Sequence, residues 1–218
     1  MLVLASKSTG RLATLRAAGI QPRVQVSDVD ESRVLTDLAA SHCAAGAAAP
    51  TPSQQVQALA CAKALAVAGA LPPAAAAADP ALVVVGCDSM LEFDGTVVGK
   101  PETATRARER WQAMRGRSGT LHTGHCLVRA ADAATAEGVS STVVHFGKPT
   151  DAEIDAYVAS GEPLWCAGAF TIDGLGGAFI DGVEGDPHGV VGISLPLLRR
   201  LLARLGVVWT DLWSTSTR

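Results

Sequence analysis

The chain lacks several features that would assign it to a class at once. No stretch approaches the roughly 18 consecutive apolar residues of a membrane-spanning helix. The short apolar start, residues 2–5, is too brief for the core of a signal peptide. Positive charge is not in excess, since 18 Lys and Arg stand against 21 Asp and Glu and the formal charge is −3. We therefore expect a cytoplasmic protein with no membrane partner and no general affinity for nucleic acid polymers.

Paired cysteines and the common nucleotide loops are missing as well. The five cysteines are odd in number, widely spaced and never arranged as C-x-x-C, which predicts reduced thiols. The glycines at 174, 176 and 177 do not complete G-x-G-x-x-G, and no P-loop occurs. Neither a dinucleotide fold nor a P-loop enzyme is indicated.

What the chain does contain is an alternation of strand and helix patterns. Apolar residues make up 48% of the 218, enough for a sizeable core. The patterns predict strands at 2–5, 81–85 and 121–146, a hairpin at 90–98 and helices at 9–18, 52–67, 103–114, 150–159 and 195–205. Residues 33–50 are ambiguous, and 70–80 are predicted as an irregular connection. The expected fold is α/β, a mixed central sheet flanked by helices, in a single domain over 1–218 or as two lobes around one cleft.

The turn "SKSTGR", residues 6–11, joins the first strand to the first helix. Ser8 is placed to cap that helix. A helix N-terminus has free backbone amides, and here they lie beside the hydroxyls of Ser6 and Ser8 and the guanidinium of Arg11. This combination predicts a phosphate site.

Asp88 is the first candidate for catalysis, because it follows the apolar run 81–85. A carboxylate there is costly unless a positive group meets it, and ligands of open α/β sheets lie beyond such strand ends. A capping or turn aspartate explains the pattern equally well. Glu31, in "DVDE", could join Asp88 in holding a divalent cation, since Mg²⁺ often takes only one or two protein carboxylates plus substrate phosphates. Taken alone, Glu31 fits a solvated turn better.

Two lysines are candidate counter-charges for an anion. Lys63 lies in the apolar helix "QALACAKALAVA", where a lysine either extends to solvent or reaches a buried anion. Lys100, in "GKP", is either a positioned ammonium or an ordinary surface lysine.

His122 and His125 would point to opposite faces of a strand, so they do not predict a metal pair. Cys87 fits a buried structural thiol better than a nucleophile.

Nine segments, taken in order, resemble the motifs of the Maf proteins, which are nucleoside triphosphate pyrophosphatases with an inosine-triphosphatase-like fold. The resemblance spans nearly the whole chain, and so many ordered motifs are far more specific than any one. The segments are "SKSTGR", "VDE", "ACAKA", "GCDS", "DGTVVGKP", "RGRSGTLHTGH", "YVASGEP", "AGAFTIDGLG" and "VEGD".

The resemblance implies hydrolysis of a nucleoside triphosphate between its α- and β-phosphates, with a divalent metal, Mg²⁺ or Mn²⁺, in a homodimer. It implies that Asp88 is the proton acceptor. The phosphates and metal would be held by Ser6, Ser8, Arg11, Glu31, Lys63 and Lys100, and the base would be selected by Gly10, Ser89 and Asp173.

The chain departs from the family pattern at positions that bear on substrate choice. Thr9-Gly10 replaces the usual Pro-Arg, Ser89 replaces Thr or Gln, Asp173 replaces Gln or Glu, and Gly189 replaces Asn. An ionised Asp173 only accepts hydrogen bonds, so it suits uracil, thymine or guanine better than adenine. Two other functions stay open: a nucleotide-binding regulator of cell division with little turnover, and a phosphatase that leaves the α–β bond intact.

Overall fold

The structure, a computed structural model, describes residues 1–214 and is built around one seven-stranded mixed sheet. In chain order the strands are β1 (Leu2–Leu4), β2 (Arg23–Val24), β3 (Val83–Phe93), β4 (Thr96–Val98), β5 (Ser118–Arg129), β6 (Thr135–Phe146) and β7 (Ile180–Glu184). Their order in the sheet is β2-β1-β3-β5-β6-β7, and β4 pairs with β3 on the same side as β1. Strands β2, β1 and β3 are parallel, and the remaining pairs are antiparallel.

The helices pack on both faces of this sheet, which confirms the predicted α/β class. They are α1 (Thr9–Ala17), α2 (Glu31–Ala44), α3 (Pro52–Gly69), α4 (Pro73–Ala78), α5 (Ala104–Met114), α6 (Asp151–Ala159), α7 (Pro187–Val191) and α8 (Leu195–Arg204). Helix α8 covers one face with its leucines, and Trp111 of α5 centres a second apolar cluster with Phe146 and Tyr157. No helix among the residues described is long and apolar enough to cross a membrane.

Strand β3 corrects the prediction for Asp88. The sequence suggested a strand over 81–85 and a separate hairpin strand from Met90, with Asp88 at a strand end. Instead β3 runs unbroken from Val83 to Phe93, and Asp88 lies opposite Gly124 of β5 in its middle. The antiparallel pairing with β5 carries the backbone through the polar residues, and this non-local pairing leaves no local signal.

The centre of β3 has an open edge. On the side away from β5, β1 pairs with residues 83–85 and β4 pairs with residues 91–93. Between them, residues 86–90 have no strand partner on that side anywhere in 1–214. This gap, flanked by the end of β1, is where the polar residues of β3 become accessible.

Helix α3 lies unusually close to the sheet, and two glycines permit it. A Cβ on Gly86 would lie 2.3 Å from the backbone oxygen of Ala60, and one on Gly124 would lie 2.3 Å from that of Val56. Any side chain at either position would push the helix away. The contact sets the height of α3 over β3 and β5, and therefore the reach of its polar side chains.

Three further segments differ from expectation. Residues 33–50, left ambiguous, are mostly helix α2, which starts at Glu31 and is capped by Asp30, so Glu31 belongs to a helix rather than to a turn. The supposed irregular connection 70–80 contains the short helix α4. Helix α7 was not predicted. In α8, Leu198 and Leu202 are buried, whereas Leu195 in the first turn is only half-buried.

Candidate active site

The turn after β1 places two serine hydroxyls at the start of α1. The Ser8 side chain caps the helix by accepting the Arg11 backbone N–H, as predicted. The Ser6 hydroxyl accepts from the Ser8 backbone N–H at 3.2 Å and from Nη1 of Arg11 at 3.0 Å. The capping bond satisfies one of the backbone N–H groups of the first turn of α1, and the helix start leaves others without a partner inside the helix.

Arg11 is held by groups from three parts of the chain. Besides Ser6, it donates from Nε to the carbonyl of Gly192 at 2.8 Å and from Nη2 to the hydroxyl of Ser89 at 3.1 Å. Ser89 in turn lies 2.8 Å from the hydroxyl of Thr123, which donates to the carbonyl of Gly189. A guanidinium has five N–H donors, so two remain for an anion once these three bonds are made.

On the opposite face of β3, Lys63 bridges two carboxylates. Its Nζ lies 2.5 Å from Oδ1 of Asp88 and 2.7 Å from Oε1 of Glu31. The Lys63 and Asp88 side chains are only 13% and 14% exposed, whereas Glu31 is 55% exposed. Lys63 therefore reaches a part-buried anion rather than solvent. Glu31, in the first turn of α2, contacts the same ammonium group.

The two halves of the site meet at the open edge of β3. Asp88 and Ser89 are consecutive in the strand, so their side chains leave it on opposite faces. One face thus presents two carboxylates around one ammonium, and the other presents a fixed guanidinium with three hydroxyls. The structure therefore brings Ser6, Ser8, Arg11, Glu31, Lys63, Asp88 and Ser89 to one edge.

Asp173 and Gly10 lie next to each other beside this edge. Asp173 is exposed and lines a groove of about 360 Å³ with His188 and Val191, along the side of α1. A Cβ on Gly10 would lie 3.6 Å from Oδ2 of Asp173 and 3.1 Å from Cγ1 of Val191. Part of the space beside Gly10 is therefore already occupied by Val191.

Lys100 is not brought against Asp88. It is exposed after β4 and forms no ion pair with any of residues 1–214. Burial and then the negative charges of Glu162 and Asp173 raise the pKa of the Cys166 thiol, while the charge of Lys100 lowers it. Lys100 therefore lies near Cys166.

Sequence reasoning identified Ser6 and Ser89 but missed the other groups that hold Arg11 and Ser89 in place. Thr123 belongs to "HTGH", where only the histidines were considered individually, and the carbonyls of Gly189 and Gly192 have no side-chain signature. The histidines themselves separate as expected: His122 contacts Glu92 and Ser141, whereas His125 is buried against Thr123 and Ser194. Cys87 is fully buried, and burial raises its pKa to about 11, as suits a structural thiol.

A mixed sheet whose central strand opens beside a helix N-terminus, with fixed cations on both faces, defines an α/β protein that binds a polyanion. The model of the Maf-like protein family matches residues 1–205. The chain therefore belongs to the Maf family. It is 54% identical over 216 residues to a protein of Salinispora tropica, covering 99% of this chain and 88% of that one.

Other relatives are equally similar. A protein of Mycobacterium sp. (strain JLS) is 53% identical over 216 residues, covering 98% of both chains. One of Streptomyces coelicolor is 53% identical over 213 residues, covering 98% of this chain and 94% of that one. All three relatives carry the name nucleoside triphosphate pyrophosphatase.

Proposed function

We propose that this protein is a nucleoside triphosphate pyrophosphatase, which hydrolyses the α–β phosphoanhydride to a nucleoside monophosphate and pyrophosphate. The observation that carries the proposal is the bridge from Lys63 to Asp88 and Glu31, at the edge that also faces Arg11 and the start of α1. The names and the near-complete coverage of the relatives support the same reaction.

Each charged side chain of the site has a separate role in the proposed hydrolysis. Asp88 accepts a proton from the water whose oxygen bonds to the α-phosphorus. The bond from that phosphorus to the bridging oxygen then breaks, and pyrophosphate leaves with the bonding electron pair. Lys63 orients the carboxylate of Asp88, and the two free N–H groups of Arg11 hold phosphate oxygens as their charge increases. Lys100, which is exposed after β4, adds positive charge that attracts the polyphosphate.

The carboxylates fit a divalent metal. Glu31 and Asp88 both lie within 2.7 Å of one cationic nitrogen, so they converge on a point where positive charge is stabilised. Their donor atoms are all oxygens, which suits Mg²⁺ or Mn²⁺ completed by substrate phosphates. When bound, such an ion supplies charge neutralisation for the polyphosphate. Hydrolysis should stop in a chelator and return with either ion; undiminished turnover in the chelator would exclude the metal.

Base selection is proposed for Asp173, Gly10 and Ser89. The exposed Asp173 carboxylate beside Gly10 accepts hydrogen bonds from N–H donors. Uracil, thymine and guanine present such donors, whereas adenine presents its donor next to a ring nitrogen that is itself an acceptor. UTP, dTTP or GTP-like nucleotides should therefore be preferred over ATP. Asp173→Gln should change the order of preference more than the best rate, and an unchanged order would remove Asp173 from this role.

We expect a cytoplasmic homodimer that clears non-standard or excess nucleotides. Sedimentation at several protein concentrations tests the dimer, and fractionation of cells tests the location. A monomer at every protein concentration would contradict the dimer. Recovery of the protein in the membrane fraction would contradict the cytoplasmic location.

A turnover panel of normal and modified nucleoside triphosphates, with Mg²⁺ and Mn²⁺, tests the reaction. Monophosphate and pyrophosphate in equal amounts are expected. Orthophosphate as the first product would indicate a phosphatase instead. Tight binding without turnover would indicate the nucleotide-binding regulator.

A further inference from the structure

Three potential metal ligands converge on the same sheet face as Asp88 but outside the active site. They are Cys61 on α3, Cys126 on β5 and Glu137 on β6, and one ligand atom of each lies within 4.8 Å of the others. The Sγ of Cys61 is 2.9 Å from Oε2 of Glu137. Cys126 is 1% exposed, whereas Cys61 and Glu137 give the cluster access to solvent.

The cluster is built by rigid elements rather than by loops. Cys126 and Glu137 are direct partners in the β5–β6 pairing, and Gly86 is the partner of Cys126 on its other side. Because Gly86 has no side chain, α3 descends to the sheet there and brings the Cys61 thiol to its two partners. Preorganised ligands on a helix and two strands are what a specific metal site requires.

Gln57, one turn before Cys61 on α3, adds an independent observation. Its Nε2 lies 3.0 Å from the carbonyl oxygen of His125, 3.2 Å from Sγ of Cys61 and 3.3 Å from Oε2 of Glu137, so its two hydrogens are shared among three acceptors. Its Oε1 is buried and accepts no hydrogen bond within residues 1–214. A buried acceptor without a donor is costly. This orphaned oxygen belongs to an amide already in contact with two of the three candidate ligands.

We propose that Cys61, Cys126 and Glu137 bind a thiophilic divalent cation of the Zn²⁺ type. Two sulfur ligands select such an ion over Mg²⁺, which prefers oxygen. Three protein ligands leave the fourth tetrahedral position to water, and a hydrogen of that water has Gln57 Oε1 as its acceptor. Both thiols lose their protons to solvent on binding, so affinity increases with pH. The ion ties α3 to β5 and β6 and stabilises the native state.

The test uses the full-length protein, metal-free, with a phosphine reductant and no nucleotide. Cd²⁺ is titrated first, because its thiolate complexes absorb in the ultraviolet, and Zn²⁺ is then measured by competition with a chromophoric chelator. One equivalent of Cd²⁺ should produce the thiolate band, excess Mg²⁺ should not remove it, and the thermal midpoint should increase. No band in the wild-type protein would overturn the proposal.

Variants assign the ligands. Cys61→Ala and Cys126→Ala should lose the band, and Gln57→Leu should weaken binding by about 10- to 100-fold, as loss of an outer hydrogen bond does. Cys43→Ser, at an exposed cysteine of α2, is the matched control and should bind like the wild type. A band that persists in Cys61→Ala would refute the site. Circular dichroism without metal checks folding; if the buried Cys126→Ala fails to fold, the part-exposed Cys61→Ala decides.

Discussion

At the scale of single residues, the site depends on charges that neutralise one another across short distances. Asp88 is tolerated inside a central strand because Lys63 meets it at 2.5 Å, and Lys63 is tolerated on an apolar helix because two carboxylates meet it. The sequence identified each of these residues as chemically unusual. It did not show which partner each would find, since their contacts cross 25 and 32 positions of the chain.

Replacing Asp88 by Asn tests the proton acceptor. The amide keeps the shape of the side chain but removes its negative charge, so kcat should fall by roughly 10²–10⁴. Steady-state kinetics on the best substrate measure the loss, and circular dichroism shows whether the fold is kept. Near-wild-type kcat in a folded variant would remove Asp88 from the reaction.

Lys63→Ala leaves Asp88 and Glu31 facing each other without a cation. We expect kcat/KM to fall by about 10²–10³, the usual effect of losing one group that stabilises charge in the transition state. Lys148→Ala, at an exposed lysine outside the site, is the matched control and should behave like the wild type. Equal kinetics in the two variants would mean that Lys63 has only a structural role.

At the scale of elements, local signals located helices and turns, and non-local pairing decided the rest. The helix from 150 and the hairpin at 90–98 were predicted, since the capping box of Thr150 and Glu153 and the turn of the hairpin each lie within four residues. The continuity of β3 through Asp88 was not, because its pairing with β5 joins residues 28 to 46 positions apart. The backbone carbonyl that holds Arg11 could not be predicted from the sequence either, since any residue can supply a carbonyl.

The close approach of α3 predicts the effect of Gly86→Ala. The new Cβ would lie 2.3 Å from the Ala60 oxygen and 2.7 Å from the Ala64 nitrogen, so α3 must move away from the sheet. Overpacking of this kind costs about 1–3 kcal/mol in the free energy of unfolding. Because α3 carries Lys63, activity should fall as well, by about 10²-fold for a displacement near 1 Å.

The matched control is Gly69→Ala, at the end of the same helix, where an added Cβ meets no atom within 4 Å. Urea denaturation of both variants should show Gly86→Ala destabilised and Gly69→Ala unchanged or slightly stabilised. If both variants unfold like the wild type, the helix does not depend on glycine at position 86.

At the scale of the whole molecule, one buried histidine couples folding to pH. His125 accepts the backbone N–H of Ser194 at Nε2, 2.8 Å away, and its Nδ1 lies 3.0 Å from the carbonyl of Thr123. Only the neutral ring makes both bonds, because Nδ1 must carry a hydrogen to donate and Nε2 must carry none to accept. Burial, and secondly the charge of Arg11, lower its pKa from 6.5 to about 4.

Between pH 4 and 6.5, therefore, His125 is protonated in the unfolded chain but stays neutral in the native state. Stability should be constant with respect to His125 above pH 6.5 and should fall as the pH decreases toward 4. The loss should reach about 3 kcal/mol, since each pKa unit corresponds to about 1.4 kcal/mol. Urea denaturation across this range measures it, with His42→Gln, at a part-exposed histidine, as the control. In His125→Gln the slope should be smaller; an unchanged slope would assign it to other groups.

The central claim is that water attacks the α-phosphorus at the open edge of β3. Hydrolysis in water labelled with heavy oxygen tests this most directly, because the label marks the phosphorus that was attacked. Mass spectrometry of a single-turnover reaction should find the label in the nucleoside monophosphate and none in the pyrophosphate. Label in the pyrophosphate, or orthophosphate carrying it, would place the attack on another phosphorus and contradict the account.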